Sequence, residues 1–472
     1  MNKKLLLTGS LALVLTTFKA QWMTQNTNFT NSIYGVSSIN IPSANVAWAI
    51  GYNGSGTTIA TNPEYTMTKD GGATWTANKI NTAGVTSDFV IANISAIDDV
   101  TAFACLYDNK QSAGQGIYKT TDGGTSWTRC AGAAYGTSSW PDLVHFFNAN
   151  DGVAFGDPVG GFYEIYTTND GGTTWAQSPN TANVLAPIPA AEYGLANSFG
   201  VFGNTICVGT NHGRIFRSVD KGVTWTVSTT PLTLTSANAT DIHKIEFRDA
   251  NNAIAGSVYI NNVSKPVYSF IKTTDGGITW TSVTSTGAVF GSDYCAVPGT
   301  NFYVSTGADF TTPNQGSSMS SDDGATWQLI EDTTGFSAGS TGQRTAVKFF
   351  SSTLGYAGGF TGNPSTNGGI FKWSGTLSPY VGIEKTSSLK SSISVYPTPC
   401  DDNLSIVLNG IKDKKTNVKI CNALGELVYE SSTIYQTPMF IKHVNVSSFS
   451  KGIYFVIVNE GANSYVQKVI KE

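Results

Sequence analysis

"TTDGGTSW", residues 120–127, recurs with small changes along most of the chain. The other copies are TKDGGATW (68–75), TNDGGTTW (168–175), SVDKGVTW (218–225), TTDGGITW (273–280) and SSDDGATW (320–327). Their aspartates, Asp70, Asp122, Asp170, Asp220, Asp275 and Asp322, stand 52, 48, 50, 55 and 47 residues apart. A catalytic constellation is used once, whereas an architecture repeats its parts. A period near fifty residues, with four short strand-like runs in each unit, is what the blades of a β-propeller produce.

Each position in the phrase has a physical job. Asp followed by Gly between β-rich runs marks a hairpin turn. The carboxylate can accept N–H groups within such a turn, and glycine takes a positive φ without strain. The leading Ser or Thr adds a local hydrogen bond. The closing residues Trp75, Trp127, Trp175, Trp225, Trp280 and Trp327 begin the next strand, where they can pack between blades. The phrase therefore reads as structural, and its aspartates as turn formers rather than metal ligands or catalysts. It resembles the Asp-box, S/T-x-D-x-G-x-T-W, of sialidases and related propellers. The resemblance implies that each copy joins the third and fourth strands of a blade, at the periphery and remote from the functional face.

Upstream of the boxes a second pattern recurs. "DLVHFFNANDGVAFGD" (142–157) aligns with "DIHKIEFRDANNAIAGS" (241–257) and "TAVKFFSSTLGYAGGF" (345–360), each an inner strand, a polar turn and a second strand. Looser versions at 35–51, 89–105, 195–209 and 293–307 bring the count to seven units for six boxes. The last unit ends at "GGIFKWSG" (368–375) with no box after it. "QWMTQN" (21–26) can supply its outer strand, with Trp22 in place of a box tryptophan, and pairing the chain ends removes exposed strand edges. The expectation is an all-β, seven-bladed propeller over 21–380.

Composition agrees. The chain has 472 residues, a net charge of −4, 13% charged residues, 50 Gly, 20 Tyr, 24 Phe and 10 Trp. That profile suits a turn-rich β protein, and the lack of a basic run argues against nucleic acid as a partner. "MNKKLLLTGSLALVLTTFKA" (1–20) combines Lys3 and Lys4 with a short apolar run and a small residue before Gln21, as a signal peptide does. No other segment is long and apolar enough to span a membrane. Cys105, Cys130, Cys207, Cys295, Cys400 and Cys421 form no CxxC pair and no metal spacing, so buried free thiols are expected, with Cys400–Cys421 the pair to examine for a bridge. No cofactor is expected, and the chain is expected to be a monomer.

After a Ser-rich linker (381–392) the period is lost. Alternating apolar residues such as Val418, Ile420, Tyr454, Val456 and Val458 indicate about seven short strands in a small immunoglobulin-like β-sandwich over 393–472. Tyr396, Pro397, Pro399, Asp402, Leu404, Asn422, Gly425, Ser448, Gly452, Tyr454, Lys468 and Lys471 resemble the type A C-terminal sorting domain of the type IX secretion system. Thr398 and Phe449 depart mildly from its pattern. The resemblance implies delivery through the periplasm and across the outer membrane, with the secretion machinery as a partner. The product would be secreted or attached to the cell surface.

Functional residues should gather on the face opposite the boxes, where second-to-third strand loops and blade-to-blade connections meet. Trp140, Asp157, Phe162, His212, His243 and Arg344 are the binding candidates there, with Tyr52, Tyr107 and Tyr294 as further aromatics. The same aromatics would also suit gap filling between blades. Sialidases grip a carboxylate with three arginines, but of Arg129, Arg214, Arg217, Arg248 and Arg344 only Arg214 and Arg344 fall near this face. Other glycosidases need two carboxylates, and Asp142, Asp157, Asp241 and Asp293 are the catalytic candidates, with Asp88 and Asp309 beside them. His145, His212 and His243 fit no known ligand spacing, so no metal is expected. The chain is similar overall to single-propeller proteins of the photosystem-assembly-factor-like class, which implies a binding platform for a protein or glycan. A glycoside hydrolase is the alternative.

Overall fold

A computed structural model of the chain describes residues 22–30, 34–53, 63–86, 88–108, 114–133, 135–137, 139–179, 184–187, 192–232, 241–259, 267–308, 315–331, 343–359, 369–377, 392–409, 415–434, 439–460 and 463–472. The expected signal peptide and almost all of the expected linker lie outside these residues. The described elements are strands, with no helix among them. The chain divides into two compact units, Met1–Pro379 and Tyr380–Glu472.

The first unit holds seven sheets of one plan. Blade one pairs Tyr34–Ser43, Val46–Asn53, Glu64–Thr68 and Thr76–Lys79 antiparallel in that order. Blades two to six repeat it, starting at Phe89, Pro141, Gly194, Lys244 and Asp293. Blade six carries one more short strand, Thr286–Gly287, running parallel on its outer edge. The first strand of each blade is innermost and lies beside the innermost strands of its neighbours, closing a ring from blade seven to blade one.

Blade seven has Ala346–Ser351, Leu354–Gly358 and Gly369–Trp373, and its fourth strand comes from the other end of the chain. Trp22–Asn26 pairs antiparallel with Gly369–Trp373, Trp22 opposite Trp373. Trp22 is buried, meets Trp373 edge-on at 5.1 Å, and donates from Nε1 to Ser317 Oγ of blade six at 2.8 Å. It fills the interblade place that the repeated tryptophans fill elsewhere.

Each copy of the repeated phrase forms the same turn between third and fourth strands. The leading Ser or Thr oxygen accepts from the N–H of the residue four positions on, at 2.8–3.0 Å. The aspartate Oδ1 accepts the backbone N–H four positions beyond it, at 2.8–2.9 Å. The Ser126 and Thr174 hydroxyls and N–H groups hold the carboxyls of Asp122 and Asp170 down to about 2. Those aspartates are therefore ionised turn acceptors.

The fixed glycine has a tertiary reason as well. Gly172 has φ +79°, and a Cβ there would lie 2.7 Å from the Phe103 ring of blade two. The closing tryptophans likewise lean on the preceding blade, Trp127 on Tyr65 at 5.8 Å and Trp225 on Phe155 at 5.8 Å. Local turn chemistry and interblade packing thus select the same residues.

The second unit is a sandwich of seven strands. One sheet pairs Ser392–Tyr396, Asn403–Asn409 and Met439–Asn445; the other pairs Leu427–Ile434, Lys415–Asn422, Gly452–Glu460 and Asn463–Lys471. Val418, Ile420, Tyr454, Val456 and Val458 point into its own core with Leu404 and Ile406. All six cysteines are free thiols, five of them buried, and Cys400 is not bridged to Cys421.

Candidate functional site

Antiparallel strands reverse direction, so first-to-second and third-to-fourth turns share one side of the ring. The opposite side gathers the remaining loops, and an aromatic surface lies on it. Trp140 and Tyr193 each sit just before the innermost strand, in blades three and four, and are 38% and 44% exposed. Phe162 pairs with Val159 at the hairpin tip of blade three, and both are exposed. Tyr52, at the end of the second strand of blade one, is exposed too.

Hydrogen bonds fix these residues in place. Trp140 Nε1 donates to the Asp108 carbonyl at 3.2 Å, and the Trp140 carbonyl accepts from Asp157 N at 2.9 Å. Ser139 Oγ donates to the Asp157 carbonyl, and Gln115 Nε2 to that of Ser139. Tyr193 N donates to Asn211 Oδ1 at 2.9 Å.

Beneath the aromatics lie Asp142 and Asp157. Each falls at a break in strand register, Asp142 between Pro141 and Leu143 and Asp157 between Gly156 and Pro158. Such bulges re-aim a side chain, and here they bring two carboxyls together. Asp157 Oδ1 accepts from Gly194 N at 3.0 Å, whereas Asp142 Oδ2 is buried with no hydrogen-bond partner. A Cβ on Gly194 would collide with Asp142 Oδ2, so a larger residue here would displace the Asp142 carboxyl. Burial, and then the neighbouring Asp157, push the Asp142 carboxyl well above its usual range. Burial also raises Asp157 to about 6, against the opposing Gly194 N–H.

The raised values set a pH dependence. A carboxyl whose folded pKa exceeds its unfolded one stabilises the fold below the unfolded pKa, and that stability is lost as pH rises through the folded value. For this pair the fold therefore loses stability as pH rises from the ordinary carboxylate range through about 6, the value of Asp157, with Asp142 adding in the same direction. Asp142→Asn is expected to flatten that decline and to raise the melting temperature at alkaline pH. Parallel melting curves at acid and alkaline pH for both proteins check it, and equal slopes would contradict it.

The other candidates fare differently. Asp241, His212 and His243 come together at the junction of blades four and five: burial raises the Asp241 carboxyl and the two imidazoles oppose it. His212 Nδ1 is 2.9 Å from Asn211 Oδ1. His243 borders a pocket of about 50 Å³ with Lys244, Phe270 and Asp293, room for water but not for a sugar ring. Asp293 is engaged on both oxygens, by Lys244 Nζ at 3.2 Å and by Val347 N at 2.8 Å.

Arg344, expected as a binding residue on this face, is instead 3% exposed. It pairs with Glu331 at 3.2 Å and lies 3.9 Å over the Phe371 ring. Arg214 is likewise paired with Glu192, at 2.7 and 2.9 Å. Tyr294 is also buried, donating to the Lys244 carbonyl at 2.6 Å. Arg217 and Arg248 are engaged as well, with the Gly276 carbonyl and Asp323. Asp309 lies outside the described residues. Among the described residues no three His, Cys, Asp or Glu side chains gather as a metal site.

The central channel is obstructed. The innermost strand of blade four breaks register between Gly194 and Phe199, and Asn197 Nδ2 from that bulge reaches Ser38 Oγ of blade one at 3.3 Å. His145 lies between Phe147 and Phe199 and is held down to about 4 by burial and by Lys348. Side chains of blades one and four thus meet across the middle of the ring.

Residues 394–472 match the family described as the secretion system C-terminal sorting domain. The tail is a type IX sorting domain. It directs the chain to the cell surface or the extracellular space, and among the described residues no helix is long and apolar enough to cross a membrane. No curated protein matches the chain. Among solved structures the chain is similar to YCF48 from Cyanidioschyzon merolae, at 18% identity and TM-score 0.49, over 75% of this chain and 99% of that one. YCF48 bound to D1 peptide gives 14% and 0.48, over 76% and 96%. The GH74 enzyme of Niastella koreensis gives 15% and 0.30, over 91% and 84%. Scores and identities this low say nothing of ligand or activity.

Proposed function

We propose that the propeller is an exported binding platform for a protein or glycan, and that the rim of blades one to four holds the ligand. The observation that carries this reading is the exposed aromatic surface of Trp140, Phe162, Tyr193 and Tyr52, with Trp140 and Tyr193 held by hydrogen bonds to the neighbouring loops. Large aromatic faces are costly to leave in water and serve to stack on sugars or anchor protein contacts. The tail accounts for delivery and the propeller for what is done outside.

A glycoside hydrolase is the second reading, because Asp142 and Asp157 sit together beneath those aromatics and a raised carboxyl is what a general acid needs. The burial of Asp142 weighs against it, since both carboxyls must reach the scissile bond. Screening the purified chain on oligosaccharide and peptide arrays tests the platform. Trp140→Ala is expected to weaken a captured ligand about tenfold, in line with loss of an aromatic anchor. Capture that is indifferent to Trp140, Phe162 and Tyr193 would move the site elsewhere.

A further inference from the structure

The charges on this face are unevenly compensated. On the side of blades five to seven, Lys244 is paired with Asp293 and Glu246, Lys348 with Glu246, and Arg344 with Glu331. In blade four Arg214 is paired with Glu192. Among the described residues Asp142 and Asp157, on the aromatic side, have no cationic partner, and Asp142 Oδ2 has no hydrogen-bond partner. Buried carboxyls are normally compensated by a cation or by full hydrogen bonding.

Three of the aromatic residues are joined to that pair through the backbone. The Asp157 N–H is bonded to the Trp140 carbonyl, Asp157 Oδ1 to Gly194 beside Tyr193, and Phe162 closes the hairpin that follows Asp157. Tyr52 and Tyr107 lie at the ends of the second strands of the adjacent blades one and two, and Trp140 Nε1 is bonded to Asp108 next to Tyr107, so all three open on the same side of the ring. Aromatic faces above carboxyls lacking a counter-charge suit a cation that can bind through both.

We propose that this rim docks a cationic polypeptide segment, with an Arg or Lys side chain received among Tyr52, Trp140, Phe162 and Tyr193 over the Asp142–Asp157 pair. The proposal rests on the binding-platform reading and gives it a partner class. A cation there favours the ionised carboxyls, so docking releases a proton to solvent. Among the described residues the groups facing the pair are Cys105, Tyr107, Tyr135 and Tyr163, which burial keeps neutral, and the Glu192–Arg214 ion pair lies beyond, beside Tyr163. The carboxyl pair is thus the element that titrates, and affinity rises with pH and falls with salt.

Fluorescence anisotropy with the whole mature chain tests this, using a labelled Arg/Gly peptide, its Ser/Gly and Glu/Gly counterparts, and labelled cellohexaose. The Arg/Gly peptide is expected to bind at least about tenfold tighter than the Ser/Gly peptide, and more tightly at about pH 7.5 than at about pH 5. Trp140→Ala is expected to lose about tenfold, and Trp140→Phe to retain most of the binding. Asp157→Asn, which keeps the acceptor for Gly194 N, is expected to weaken Arg/Gly binding and reduce its pH dependence while the melting transition stays cooperative. Arg/Gly binding unmoved by Trp140→Ala and Asp157→Asn would be diffuse attraction to an acidic protein and would overturn the proposal. Trp140-dependent capture of cellohexaose or the Ser/Gly peptide without a preference for Arg/Gly would overturn the cationic partner and leave the platform standing. Failure of every probe to bind would overturn the proposal as well, with the arrays deciding the platform separately.

Discussion

Deleting residues 394–472 is expected to abolish delivery to the cell exterior, with the protein in surface and medium fractions falling by at least about tenfold while total protein persists. The physical basis is modularity. The tail buries Val418, Ile420, Val444, Val456 and Val458 in a core drawn from its own strands. The chain divides into compact units between residues 379 and 380, and the ring is completed by Trp22–Asn26 without any tail residue. Removing the tail therefore takes away the address and leaves the propeller able to fold. Immunoblots of surface, medium and periplasmic fractions measure the loss, and the melting curve of the truncated protein provides the control. Delivery that survives the deletion would show that the address lies elsewhere.

Trp22→Ala is expected to destabilise the propeller by about 3–5 kcal/mol, the usual cost of truncating a buried aromatic. The substitution removes the edge contacts to Trp373 at 5.1 Å and Phe349 at 5.8 Å and the hydrogen bond to Ser317. It also loosens the one strand that joins the two ends of the ring. Deleting residues 22–26 goes further, because Gly369–Trp373 would become an unpaired edge ready to pair with another chain. Calorimetry should show a fall in melting temperature on the order of 10 °C for the point variant. Light scattering should show association for the deletion. A melting temperature unchanged by Trp22→Ala would mean that the N-terminal strand does not hold the ring closed.

The fold was legible because its determinants are local and repeated. The Ser/Thr-x-Asp-x-Gly turn carries its hydrogen bonds within eight residues, so six copies announce six third-to-fourth strand turns. The unit lacking a box, ending at Trp373, and the orphan strand at Trp22 implied each other, and they pair. The site was less legible because its contacts are distant in sequence. Arg344 reads as a free guanidinium in a loop, but Glu331 and the Phe371 ring enclose it. Asp293 reads as a loop carboxylate, but Lys244 and Val347 N, some fifty residues away on either side, engage both its oxygens.

Tyr193 was missed although a signal existed. It stands immediately before the innermost strand of blade four, as Trp140 does in blade three and the exposed His243 in blade five. Superposing the units on that position would have picked it out. The pairing of Asp142 with Asp157 had no comparable signal, because it depends on two register breaks that alternation of side chains does not reveal.

The central claim is that the aromatic rim binds and does not cut. Its most direct test incubates the purified mature chain with a broad panel of immobilised oligosaccharides and peptides, scoring capture and reducing-sugar release in the same wells. The account predicts capture that falls with Trp140→Ala, and no release of reducing sugar. Release that disappears in Asp142→Asn and Asp157→Asn while the protein remains folded would contradict it, and would make the buried carboxyl pair the centre of a hydrolase.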